Sequence, residues 1–413
     1  MDQDEGRLLI DAPNLLSKMR AHFDGLAGPI DFIGAEAVLE SLSSLLRGWH
    51  HRIESSAKPS VPPMLSVVLC GSEYQISASW REEAFGEATV VGALCTLIVD
   101  LVEAYVHSSA GRMCLHCAAA EIEGSLVVFP AASRAGKSTL AAALAAAGQR
   151  VFTDDLLVLD AAAGEGMALG VPPRLRLPLP EGLAATFLDF LERHAGLSDN
   201  HYRYLDLPGR LQASFGERAP LGAIVLLERD EPGTRASLDP AEAARVMRLL
   251  IGQSLAGDGF SSGVLADFHS LIGRLPSLTL RYGDLAEAIE LLLHELPGRA
   301  GAAGAVSSPI EIKRWRAGNV RPAQGNRLFQ QAPEVHAHAL NDRLFLTNEA
   351  DGSVCELDLI GAGIWNLLAE PVSAQEAVQI LAELFPEVEA ARIEADVGRL
   401  LRDLEREGLI RRV

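Results

Sequence analysis

Residues 125–155, SLVVFPAASRAGKSTLAAALAAAGQRVFTDD, constrain this chain more than any other stretch. Ser125 to Phe129 are apolar and β-prone, and Pro130 ends them. Ala131 to Gly136 make a tight turn ahead of Lys137-Ser138-Thr139. Leu140 to Ala147 are strong helix formers, closed by Gly148 at the expected C-terminal position. Val151-Phe152 return as a strand that ends in Asp154 and Asp155. A turn entering a helix points backbone N–H groups at an anion, and the helix N-terminus adds partial positive charge. Lys137 then reaches outer phosphates, and Ser138 offers a hydroxyl to Mg²⁺. The turn departs from the usual pattern at Ala131 and Arg134, where glycine is frequent.

A chain of 413 residues accommodates two or three domains. Its net charge of −19 argues against nucleic acid as the main partner, because phosphate contacts need clustered Lys and Arg. The acidic start MDQDEGRLL lacks the basic-then-apolar order of a signal peptide. The apolar run Val90 to Val99 meets Asp100 and Glu103 and reads as part of a core helix, so the expectation is a cytoplasmic protein without a membrane segment. The five cysteines do not make a disulfide framework, and Cys114-Leu-His-Cys117 reads as two buried thiols beside a useful histidine, His116.

Residues 1–110 read as an α+β region with a helix over Ala35 to Trp49, a hairpin around Gly71-Ser72, and a long helix over Ala88 to His107. Met113 to Ile122 is a strand leading through the turn Glu123-Gly124. Arg174-Leu-Arg176 lies between prolines, an extended segment with both guanidinium groups on one face. Leu221 to Leu227 is a buried strand, Asp239 to Leu250 a helix, and Asp284 to Leu296 the last helix before a linker over 297–330 rich in glycine and alanine. Basic residues Lys313, Arg314, Arg316 and Arg321 fall within it.

LHCAAAEIEG, then a strand, ASRAGKST, a helix and TDD, resembles the core of HPr kinase/phosphorylase and its related kinases. The resemblance implies an α/β P-loop kinase core over 111–296 that binds ATP and Mg²⁺ and phosphorylates a Ser or Thr hydroxyl. It implies catalytic roles for Lys137, His116, Asp154 and Asp155. It puts the nucleotide on Ala132, Ser133, Arg134, Ala135, Gly136, Lys137, Ser138 and Thr139, and the metal on Ser138, Asp154 and Asp155. General base and metal ligand are divided within the Asp pair, in an order left open. Arg-Leu-Pro segments near the site are common in that family, which gives Arg174 or Arg176 a contact with substrate or phosphate.

Residues 331–413 read as three short strands and three helices, a winged-helix arrangement. The hairpin around Asn341-Asp342, the Asp351-Gly352 turn, Gly361-x-x-Ile-Trp365-x-Leu-Leu368 and the ending Leu404-x-x-x-Gly408-Leu-Ile410 resemble PqqD and related elements that bind leader peptides. The resemblance implies strand addition of a leader peptide. Its contacts are expected at Arg343, Leu344, Phe345, Leu346 and Thr347, and at Val397 and Leu401, with Trp365 in the core. From Gln331 onward, seven Arg and no Lys stand against sixteen Asp and Glu, a net charge of −9 that disfavours DNA.

Together these features lead us to expect a kinase for a ribosomally made precursor peptide. The partner is a leader peptide or a small carrier protein, with a homo-oligomer left open. Two alternatives use the same residues: a phosphatase or bidirectional regulator of a carrier protein, and a non-catalytic, nucleotide-gated peptide chaperone.

Overall fold

The computed structural model describes residues 17–55, 61–108, 113–132, 135–255, 261–299 and 327–413. Ser133, Arg134, the basic cluster Lys313–Arg321 and most of the expected linker lie outside these residues. The chain is mixed α/β and divides into two units. One comprises Met1–Gly124, Gly136–Asp160 and Gly166–Ala219; the other comprises Ser125–Ala135, Ala161–Glu165 and Pro220–Val413.

The first unit carries a six-stranded sheet in the order His51–Ser55, Lys18–Phe23, Ile30–Ile33, Leu65–Cys70, Glu73–Ala78, Phe85–Glu87. The hairpin at Gly71 pairs Cys70 with Glu73, and Gly71 adopts the left-handed φ of 65° that the turn requires. Helices Glu36–Leu45 and Val90–His107 pack together and bury Leu42, Leu94, Leu97 and Leu101 against Phe32 and Ile76. Val90–His107 is long and apolar enough to cross a membrane by composition, yet eleven of its eighteen residues are buried. Its buried Asp100 receives both arms of Arg81, at 2.7 and 2.9 Å, so the charge is neutralised inside the fold.

Strand Met113–Ile122 falls where its sequence pattern puts it. The turn that follows has positive φ at both Glu123 and Gly124, the geometry of a two-residue hairpin. The strand pairs antiparallel with two consecutive segments, Arg150–Thr153 and Leu156–Asp160. Helix Lys137–Ala146 is closed by Gly148 at φ 88°, with Gly148 and Gln149 N–H groups returning to Ala145 and Leu144. Arg174–Arg176 joins a small sheet with Tyr202–Leu205 and Ala195–Ser198.

In the second unit, Ser125–Pro130 lies parallel to Arg218–Arg229, which lies parallel to Ser277–Tyr282. Two expectations are corrected here. Asp239-Pro240 ends an edge strand, Ser237–Pro240, and the helix begins only at Ala243. A proline lacking an N–H fits a strand end as readily as a helix start, so the local signal was ambiguous. Helix Leu285–Arg299 runs through Pro297 rather than stopping at Leu296. In a last turn the proline forgoes one hydrogen bond where helical bonding is already ending.

The C-terminal region is winged-helix-like. Strand Arg343–Asn348 is the middle of three, flanked by Val335–Leu340 and Val354–Leu357. Asp358 caps helix Leu359–Leu367 through the Gly361 N–H, and a Ser373/Glu376 capping box opens Ala374–Leu384. Helix Ala390–Arg406 lays Ile393, Val397, Leu401 and Leu404 into a core with Leu346, Ile364 and Trp365. A second small sheet, Val372–Ser373, Leu328–Gln331 and Ile410–Arg412, has no counterpart in the sequence reading beyond its closing residues.

Candidate functional site

The first unit gathers the candidate residues of the Gly-Lys-Ser-Thr turn and the Asp pair. Gly136 caps helix Lys137–Ala146 in a left-handed conformation, φ 94°, which brings the chain sharply into the first turn. Lys137 takes the first helical position and is 7% exposed. Burial lowers its ammonium pKa, while Asp155, Cys117 and Asp154 pull the other way.

The two aspartates are set by Thr153, a residue the sequence reading passed over. Its Oγ1 accepts the backbone N–H groups of Asp155 and Leu156, each at 2.9 Å, so the chain turns as strand Arg150–Thr153 ends. Asp154 is 4% exposed and accepts hydrogen bonds from the Ser138 side chain and, at 3.1 Å, from the Arg174 backbone N–H. Burial pushes its carboxyl up to about 6, and the Asp155 charge adds to this. Burial would raise Asp155 as well, but the hydrogen bond from His116 and the charges of Arg174, His116 and Lys137 hold it below the usual range.

Register explains the histidine. Residue 116 stands directly across from Leu156, and Cys117 N–H donates to the Asp155 carbonyl at 2.9 Å. The His116 ring therefore meets the Asp155 carboxylate, Nε2 to Oδ1, at 2.6 Å. Cys114 and Cys117 are free thiols buried in the same strand, as expected, and burial raises both far above reactivity at neutral pH.

Arg174 and Arg176 do share a face, with their guanidinium carbons 5.0 and 5.9 Å from the Tyr202 ring centroid. Arg174 also lies 3.4 Å from Asp155 Oδ2 through Nη2. Tyr202 and Tyr204 were not anticipated. Their signal is the alternation Tyr-Arg-Tyr in a strand whose partner only the fold reveals.

Two carboxylates and a hydroxyl suit Mg²⁺, which takes one or two carboxylates and leaves its remaining positions to water and phosphate. Asp154 is a buried carboxylate that a cation would relieve of its desolvation penalty, and Ser138 already touches it. Among the described residues no cluster of three or more His, Cys, Asp or Glu forms an all-protein metal site. The donor set thus fits a metal completed by a substrate's oxygens.

In the C-terminal region most of the residues expected to contact a peptide are buried or paired within the fold. Leu344, Phe345, Leu346 and Thr347 are buried, and the backbone of Arg343–Asn348 is paired on both sides. Val397 and Leu401 are spent in the core. The available sheet edge is Val354–Leu357, paired on one side with Arg343–Asn348. Helix Ser262–Arg274 packs on the opposite outer strand, with His269 Nε2 3.0 Å from the Ala339 carbonyl. Arg248 reaches Glu356 at 2.7 Å. These contacts join the three-stranded sheet to helices that precede it in sequence.

Residues 343–410 match the family described as coenzyme PQQ synthesis protein D (PqqD). Among solved structures, the one titled "TbiB1 in Complex with the TbiA(beta) Leader Peptide" is 26% identical over 20% of this chain and 93% of that chain, with a TM-score of 0.19. No curated protein matched the chain.

Proposed function

We propose that the chain is an ATP-dependent kinase that phosphorylates a Ser or Thr hydroxyl of a ribosomally made precursor peptide, whose leader its C-terminal region captures. The observation that carries the kinase reading is the convergence of Lys137, Ser138, Asp154, Asp155 and His116. These are the groups that the resemblance to HPr kinase/phosphorylase assigns to phosphoryl transfer. The capture reading is supported by the match of residues 343–410 to PqqD and by the edge Val354–Leu357, unpaired on one side among the described residues.

In this reading the N-terminus of helix Lys137–Ala146 and the Lys137 ammonium hold the phosphates of ATP, with Ser138 and Asp154 on the metal side. Mg²⁺, when bound, neutralises charge on the β- and γ-phosphate oxygens. The acceptor oxygen forms a bond to the γ-phosphorus while the bond from that phosphorus to the bridging oxygen breaks. ADP leaves with that electron pair, and the hydroxyl proton passes to the carboxylate pair, where His116 orients Asp155. Transfer of this kind needs little covalent help, so positioned charge accounts for most of the rate.

Leader capture raises the local concentration of the acceptor segment. Incubation with ATP, Mg²⁺ and candidate precursor peptides, read by mass spectrometry, tests the proposal. A gain of one phosphoryl group on a Ser or Thr supports it. Peptide binding without any such gain removes the kinase and leaves the capture.

A further inference from the structure

Arg174 and Tyr204 stand directly opposite each other on adjacent antiparallel strands. Tyr204 is 2% exposed. Its hydroxyl, influenced by the Arg174 guanidinium across the strand pair, lies 3.6 Å from Cys95 Sγ. On another side the Arg174 guanidinium packs over the Tyr202 ring. Arg174 then touches both aspartates with different parts of itself: its main-chain N–H donates to Asp154 Oδ2 at 3.1 Å, and its Nη2 lies 3.4 Å from Asp155 Oδ2.

This geometry does not suit the substrate contact that the sequence suggests for Arg174. The guanidinium is already engaged by a carboxylate, a phenol and an aromatic face. An arginine held on three sides has little conformational freedom, and the carboxylate it faces inherits that order. Asp155 has a side chain 31% exposed and would otherwise exchange this contact for water. Misplacement of a reacting group by about 1 Å costs on the order of 10²-fold in rate.

We propose that Arg174 and Tyr204 are positioning residues for the paired aspartates: Tyr204 fixes the guanidinium, and Arg174 fixes the spacing of the two carboxylates. The proposal rests on the aspartate pair being the reacting centre of the kinase. Tyr204 acts at one remove, since its hydroxyl meets Arg174 and Cys95 while Arg174 meets the acids. Tyr204 is therefore expected to alter turnover and leave nucleotide affinity alone.

The test uses the full chain with Mg·ATP alone, reading basal hydrolysis with water as acceptor, so that no peptide needs to be known. Tyr204→Phe keeps the ring and removes one oxygen. It is expected to lower kcat about tenfold with KM for ATP within about twofold of the parent. Arg174→Lys keeps the charge and loses the fork, and is expected to lower kcat further, again with KM little changed. A Tyr204→Phe protein with unchanged kcat and an unchanged melting temperature overturns the proposal, because packing alone would then suffice.

A second readout needs no catalysis. The Arg174 Nε–H resonance in ¹⁵N spectra is expected to be sharp in the parent and broadened in Tyr204→Phe. An unaltered resonance overturns the positioning link directly. A parent that hydrolyses no ATP but whose Arg174 resonance responds as expected upholds the link, and the kinase reading is then decided by phosphoryl transfer to the peptide.

Discussion

His116 Nε2 lies 2.6 Å from Asp155 Oδ1, and strand register sets the pair, since residue 116 is the cross-strand partner of Leu156, the next residue along. A ring donor at that distance fixes the carboxylate's orientation and favours its charged form. Replacing His116 by Ala removes this donor without touching the Lys137 turn. The expected outcome is a fall in phosphoryl transfer of about 10²-fold, with ATP affinity retained. Steady-state kinetics beside a nucleotide-binding titration check it; equal losses in both would show that His116 serves the fold.

Lys137 is 7% exposed, and Asp155 and Asp154 are among the charges acting on it. A Lys137→Met substitution keeps most of the buried stem and removes the cation that offsets the two acids. Transfer is expected to fall by at least about 10³-fold, because the charge that meets the phosphates is lost. Peptide capture at the C-terminal sheet should persist. Fluorescence anisotropy of a labelled leader separates the effects, and joint loss of binding and transfer would reject the division of labour.

Much of this architecture was legible because its signals are local. Gly71, Gly124 and Gly148 each sit where a turn or helix end needs positive φ, and the elements they punctuate fall close to where the pattern puts them. The Lys137, Ser138, Asp154, Asp155 and His116 group was legible for the same reason: it lies within one strand–turn–helix–strand segment and the strand before it. The resemblance gives Arg174 or Arg176 a contact with substrate or phosphate, and nothing local in the sequence shows the other partners of Arg174. Tyr204 lies thirty residues away in sequence and becomes its neighbour only through strand pairing. The central place of the strand expected to meet the peptide was hidden for a related reason. The Asn341-Asp342 turn and the apolar run Leu344–Leu346 mark Arg343–Asn348 as a strand, but whether a strand is central or lies at an edge depends on what pairs with it.

The open edge gives the next test. Asn348 N–H bonds to the Ser353 carbonyl, and the register pairs Cys355 with Leu346, so Val354 and Glu356 direct their backbone groups away from the sheet. A proline at Val354 removes an outward N–H that no described residue accepts, which edge strands tolerate. Val354→Pro is expected to weaken leader binding at least about tenfold, with the melting temperature close to that of the parent. Undiminished binding would place the peptide elsewhere than on this edge.

His338 supplies a dependence on pH. Its ring is half-buried where strand Val335–Leu340 meets helix Ser262–Arg274, and among the described residues its Nε2 has no hydrogen-bond partner. Burial lowers its pKa below the usual 6.5, and His269 and His336 lower it further, against a smaller opposing hydrogen bond at Ser262. The ring of His269 is 6.5 Å away, and Glu349 lies beside His336 at 3.5 Å. Because the folded state binds this proton more weakly than the unfolded chain, the stabilising contribution is complete above about pH 6.5 and is lost as pH falls through the lowered folded value. Hydrogen exchange should therefore show the 335–348 hairpin losing protection between pH 7 and 5 more steeply in the parent than in His338→Gln. Superimposable profiles would mean that other groups govern the contact; a shallower mutant profile identifies His338 as the residue through which acid loosens the recognition sheet from its supporting helix.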